Sequence, residues 1–133
     1  MTYSIMFVIV IILILNFFLL YTGPRCSSIQ SVNSSISVRE GERRIIGLNA
    51  DTDSLKFGTV SPQTVARRSV YITNDRDASV TVFMEGDFAP WVNITPQEFR
   101  LKSGQNQEVQ FAVRVPDYPE NGDYTGNVIF CFK

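Results

Sequence analysis

The last segment of the chain decides the fold: residues 121–132 read NGDYTGNVIFCF. Successive side chains of a strand point to opposite sides, so Tyr124, Val128 and Phe130 fall on one face, together with the residues at the other even positions. The tripeptide GDY at 122–124 has the pattern of a tyrosine corner, in which the tyrosine hydroxyl donates a hydrogen bond back to the preceding loop. The segment therefore predicts a half-buried strand that closes a β-sandwich.

The same two-residue period recurs upstream. In QEVQFAVRVP, residues 107–116, the valines and the phenylalanine alternate with Glu, Gln, Ala and Arg. Alternating apolar residues at 70–73 and 80–84, separated by the turn Asn-Asp-Arg-Asp at 74–77, predict a β-hairpin. Further short strands are predicted at 45–48, 55–58, 91–94 and 99–102. About seven strands, with no helical pattern after residue 22, predict an all-β antiparallel sandwich domain over residues 44–133.

An apolar run, IMFVIVIILILNFFLLY, occupies residues 5–21. A helix of about 20 apolar residues is long enough to cross a hydrocarbon core of about 30 Å. A cleaved signal peptide would have a basic start, a shorter apolar run and a small-residue exit. Residues 1–4 carry no Lys or Arg, and the run ends at Gly23-Pro24, so an uncleaved transmembrane signal-anchor over residues 1–22 is favoured. We expect a single-pass protein of the cell membrane, attached through this helix.

Residues 23–43 are predicted to form a flexible tether. Their central part, SSIQSVNSSIS at 27–37, contains no charge and no aromatic side chain, so it offers little apolar surface to offset the entropy lost on ordering. The alternative is that Ile36 and Val38 belong to a first strand of the domain.

The side of the membrane on which the domain lies stays open at this stage. Arg25 is the basic residue nearest the apolar run, which favours a cytoplasmic domain. The glycosylation sequons at Asn33 and Asn93 favour the outside, as do the Ser/Asn-rich tether and the sandwich domain. We expect the domain to be extracytoplasmic.

Composition excludes several kinds of chemistry. The chain has no histidine, which removes Ser-His and Cys-His nucleophile pairs and the usual zinc sites. A net charge of −1 provides no field to attract nucleic acid. We therefore expect no enzyme, no metal or other cofactor, no nucleic acid and no small-molecule substrate. Cys26 and Cys131 could form a disulfide between the tether and the last strand, but two unpaired thiols are the simpler interpretation because disulfide bonding needs Cα atoms within about 7 Å.

Short motifs in the order FGTV (57–60), VYITN (70–74), LKSG (101–104) and GDYTG (122–126) resemble the immunoglobulin-like sandwiches of the abnormal-spindle/hydin, major-sperm-protein and PapD-like group. Similar modules recur in archaeal and bacterial surface proteins. The resemblance implies an immunoglobulin-like fold over about residues 55–132. It specifies function less closely than fold.

Four residues are candidates for an interaction surface. Phe88 and Trp91 could form an exposed aromatic patch, and Arg67 and Arg68 a basic one; the alternatives are a core tryptophan and scattered surface arginines. The sequence thus favours a non-enzymatic, membrane-anchored sandwich that presents a surface to an unknown protein partner, as a surface-layer, pilus or motility-associated accessory would. The alternative function is a cytoplasmic, membrane-tethered adaptor of the major-sperm-protein type.

Overall fold

The computed structural model describes residues 2–21, 25–41 and 54–133. These contain one helix and eight strands: α1 (Thr2–Tyr21), β1 (Ser28–Val38), β2 (Ser54–Val60), β3 (Val65–Thr73), β4 (Ala78–Gly86), β5 (Val92–Thr95), β6 (Glu98–Leu101), β7 (Asn106–Arg114) and β8 (Gly122–Phe132). A 3₁₀ turn, Ala89–Trp91, precedes β5. The strands form a five-stranded sheet, in the order β2-β1-β8-β4-β6, and a three-stranded sheet, β3-β7-β5. The prediction of a mostly β domain with largely antiparallel sheets is confirmed.

One hydrophobic core is shared by the two sheets. The apolar residues of β7 and its extension, from Val109 to Val115 at every second position, are all buried, as the alternation predicts. On β8, Val128, Phe130 and Phe132 are buried in the same core, while Asn127 is exposed. β8 is the central strand of the five-stranded sheet, so the closing segment lies at the middle of the structure.

The tether prediction is wrong for residues 28–38, which form β1. This strand pairs with β8 along its whole length on one side and with β2 on the other. Ile36 is 2% exposed and Val38 is fully buried. Five of its eleven residues are serine, but its backbone pairs with β8 throughout and with β2 over residues 33–38, and composition alone does not reveal this pairing. The domain therefore begins with β1, before residue 44.

Two details of strand pairing also differ from the prediction. β3 and β4 do not form a hairpin, because β3 pairs with β7 in one sheet while β4 pairs with β6 and β8 in the other. β1 and β2 are parallel, so the sandwich is not antiparallel throughout. A two-residue period shows which face of a strand is buried and carries no information about its partner. The strand predicted at 45–48 lies outside the described residues.

The predicted N-terminal helix is present as α1. Its side chains are described at Tyr3 and at residues 5–18, and the large apolar ones among them are exposed. Among the described residues, no helix is both long and apolar enough to cross a membrane, so the predicted span is not supported there.

The tyrosine corner is formed as predicted. Tyr124 Oη donates a hydrogen bond to the carbonyl oxygen of Glu120 at 2.6 Å. This bond ties the start of β8 to the loop that leads into it.

Tyr124→Phe removes this hydrogen bond and keeps the ring. We expect it to lower the free energy of unfolding by about 0.5 to 1.5 kcal/mol, the usual contribution of one intramolecular hydrogen bond. Urea denaturation measures the change, and Tyr71→Phe is the matched control because Tyr71 is 64% exposed. Equal effects of the two substitutions would contradict a stabilising role for the corner.

Candidate functional site

A disulfide joins the first residues of the domain to its last strand. Cys26 is bonded to Cys131, and their Cα atoms are 5.2 Å apart. The simpler interpretation of the sequence, two unpaired thiols, is therefore wrong. Once β1 is placed beside β8, with Ile29 opposite Cys131, the two cysteines fall at the same end of one ladder.

The disulfide defines two ends of the sandwich. We call the end that contains Cys26 and Cys131 the near pole, since α1 is attached there. Cys26 follows Tyr21 by five residues, so covalent geometry keeps their Cα atoms within roughly 18 Å. The opposite end, where β7 ends and β8 begins, is the far pole. It carries the connections 61–64, 87–91 and 115–121.

A groove of about 1050 Å³ lies at the far pole, over the outer face of the three-stranded sheet. Arg67 of β3 and Arg114 of β7 lie in it, with Trp91 and Pro116 among its other lining residues. In the β3–β7 ladder Arg67 is opposite Ala112 and Arg114 is opposite Val65, which makes the two arginines diagonal neighbours on one face. We call this feature the arginine groove.

Trp91 lines the arginine groove and also packs against aromatic residues of the domain. Its indole is half-buried, with ring centroids 4.7 Å from Tyr124 and 6.5 Å from Phe88. Phe88 itself is fully buried and meets Phe57 edge-on, at 6.0 Å. The prediction that Phe88 belongs to an exposed patch is therefore wrong: this side chain fills the core, while Trp91 connects the core to the groove.

Arg67 and Arg68 do not form one basic patch. Neighbouring residues of a strand point to opposite sides, so Arg67 faces the groove and Arg68 faces away from it. Arg68 Nε donates to the carbonyl oxygen of Lys56 at 3.0 Å, which links β3 to β2. Sequence reasoning missed Arg114, whose position in the alternation marked it as outward-facing but whose strand partner was unknown.

The two sequon asparagines are exposed and lie in different grooves. Asn93, on β5, lines the arginine groove. Asn33, on β1, lies opposite Asn127 in a second groove of about 540 Å³ on the outer face of the five-stranded sheet. The side chains of this second groove are mostly polar, and Thr125 in it donates through its backbone N–H to Asp87 Oδ2 at 3.3 Å.

An ion pair lies at the far pole beside the start of β8. Asp123 Oδ1 accepts hydrogen bonds from Ser37 Oγ at 2.6 Å and from Arg39 Nη2 at 3.1 Å. The hydrogen bond from Ser37 is the main reason that the pKa of Asp123 lies below its ordinary value of 3.8, and the charge of Arg39 adds to the effect. Both groups favour the ionised carboxylate.

This lowered pKa predicts the direction of a pH effect. The stabilisation from Asp123 is fully present above its unfolded pKa and is lost as the pH falls below 3.8 through the folded pKa. In an NMR titration, Ser37→Ala should raise the pKa of Asp123, because the largest contribution to the shift is removed. Arg39→Lys, which keeps the charge, is the control and should raise it less. An unchanged pKa in Ser37→Ala would contradict the assignment.

In the part of the chain that the structure describes, no group of three or more His, Cys, Asp or Glu side chains could hold a metal ion. The far pole has an open groove lined by two guanidinium groups, an indole, two proline rings and the carboxylate of Asp117. No family model, curated protein or solved structure matches this chain.

Proposed function

We propose that this chain is a non-enzymatic protein-interaction module of the immunoglobulin-like sandwich type, attached to a membrane through α1 and working outside the cytoplasm. The observation that carries the proposal is the disulfide between Cys26 and Cys131. Structural disulfides persist in oxidising compartments and are rare in the reducing cytosol. This bond closes almost the whole domain, from the residues before β1 to the end of β8.

Attachment to a membrane is supported by the character of α1. Its twenty residues carry no acidic side chain in the first turn and no basic one in the last. Large apolar side chains such as Phe7, Leu13 and Phe18 are more than half exposed. A surface of this kind is unfavourable in water, and a lipid phase removes it from water. The close link between α1 and Cys26 would then hold the near pole at the membrane.

The role of an interaction module is supported by the far pole. Tryptophan, tyrosine and arginine are the side chains that most often dominate protein interfaces. Trp91, Arg67 and Arg114 meet in one groove, and that groove lies at the end of the domain opposite to α1. An adaptor facing the cytoplasm would have the same groove but would not retain the disulfide.

Thiol alkylation tests the compartment. Intact cells are quenched in acid and the protein is denatured in a polyethylene-glycol maleimide, with or without prior reduction. We expect no added mass without reductant and two added groups with it. Labelling of both thiols without reductant would place the domain in a reducing compartment and overturn the proposal.

Carbonate extraction of the membranes tests the attachment. The full chain should stay with the membrane pellet, because its contact with lipid is apolar. A variant with Ile11→Lys and Ile14→Lys should move to the supernatant, since two charges in α1 make insertion unfavourable. If the unmodified chain is found in the supernatant, the attachment is wrong.

A further inference from the structure

We infer that the partner of the arginine groove is a second copy of this chain, which inserts its own far-pole loop into the groove. This inference rests on the proposed function in one respect, that the far pole is the interaction surface. It does not depend on the membrane or on the compartment.

The basic half of the contact is the pair Arg67 and Arg114. Both side chains are exposed, and they are diagonal neighbours on one face of the sheet. Like charges at such positions repel each other. Within the described ranges the one ion pair is that of Arg39 with Asp123, so neither groove arginine forms an ion pair there, although Asp117 also lines the groove. Guanidinium groups in this arrangement are suited to bind carboxylates through paired hydrogen bonds.

The acidic half adjoins the groove on the same pole and partly lines it, because Asp117 is one of the lining residues of the groove. The loop DYPEN, residues 117–121, presents two carboxylates, Asp117 and Glu120, on either side of Tyr118. Tyr118 is 97% exposed, more than any other large apolar or aromatic side chain described. The C-terminal end of the loop is held by the bond from Tyr124 Oη to the carbonyl oxygen of Glu120, which lowers the entropy lost at this end when the loop binds. We call residues 117–121 the acidic loop.

A second copy fits this surface because both halves are on one pole. In a twofold dimer the same surface of each copy forms the interface. If a residue of the first copy contacts a certain residue of the second, the reverse contact is also made. The acidic loop of one copy can then meet the arginine groove of the other, and the reverse contact forms at the same time. With a net charge of −1, two copies repel each other only weakly at long range.

The proposal assigns Tyr118 a role as well. A tyrosine with this exposure is suited to pack against the indole of Trp91 in the groove of the partner. Trp91 is the only tryptophan of the chain, so its fluorescence reports directly on the groove.

The experiment reverses the charge of Arg67 in one variant and of Glu120 in another. Sedimentation of the full chain in mild detergent should show a reversible monomer–dimer equilibrium, with a change in Trp91 fluorescence over the same concentrations. Arg67→Glu and Glu120→Arg should each raise the dimer Kd by about tenfold or more, because each puts two like-charged contacts into every dimer. An equimolar mixture of the two variants should dimerise again, since both contacts of the mixed dimer join opposite charges.

Recovery in the mixture separates binding from folding, because a misfolded chain would not be rescued by its partner variant. Arg100→Glu, on the outer face of β6, is the control and should leave the dimer Kd unchanged. A chain that stays monomeric with its disulfide intact would overturn the inference and leave the proposed function in place. A dimer that resists Arg67→Glu would also overturn it, and free thiols in the alkylation experiment would instead overturn the proposed function.

Discussion

Phe130→Ala is expected to lower the free energy of unfolding by about 3 to 5 kcal/mol, the range for removing a buried aromatic side chain from a packed core. Phe130 is 1% exposed and lies on β8, which pairs with β1 and β4 on its two sides. A typical domain has a total stability of about 5 to 15 kcal/mol, so this one substitution should remove a large part of it. Urea denaturation of the full chain in mild detergent, followed by Trp91 fluorescence, measures the loss.

The control for this substitution is on the same strand. Asn127 is exposed and one step out of phase with Phe130, so Asn127→Ala should change the free energy of unfolding by less than about 1 kcal/mol. If the two variants proved equally unstable, the outer face of β8 would have to be covered by another chain.

Loss of the disulfide should have an effect of similar size. Cys26 and Cys131 are 105 residues apart, and a cross-link that closes a loop of this length restricts the unfolded chain strongly. We expect reduction by dithiothreitol to lower the free energy of unfolding by roughly 2 to 5 kcal/mol. The measurement is a pair of urea denaturation curves, with and without the reductant.

Cys26→Ser gives the matched control, because it removes the cross-link and leaves the buried Cys131 side chain in place. This variant should be as unstable without dithiothreitol as the original chain is with it, and the reductant should not change it further. A Cys26→Ser variant as stable as the oxidised chain would show that the bond contributes nothing to folding.

The sequence predicts the buried faces of the strands well, because apolar and polar residues alternate along each strand and the apolar ones mark the buried face. Val109, Phe111 and Val113 could be placed in the core with no knowledge of their neighbours. β1 was predicted only as the alternative, from Ile36 and Val38, because backbone pairing with β8 and β2 orders the rest of it, and hydrogen-bond partners distant in the chain leave no local pattern.

The candidate site was also predicted only in part, because strand pairing determines which residues come together. Trp91 and Arg67 were named from the sequence, and they do meet in one groove. Arg114 completes that groove, yet its place there depends on the register of β3 against β7. Phe88 was misplaced because an aromatic residue in a Gly- and Pro-containing loop looks the same in sequence whether it points in or out.

The position of the disulfide also determines how the domain would carry mechanical tension. A pull between α1 and the far pole enters the sandwich at Cys26, and the bond to Cys131 divides it at once between β1 and β8. Both strands are then pulled from the same end and share the tension, so the eleven-residue ladder between them carries little shear; it would be loaded in shear only without the bond. β8 passes part of the tension on to β4. With the bond reduced, β1 alone would receive the pull.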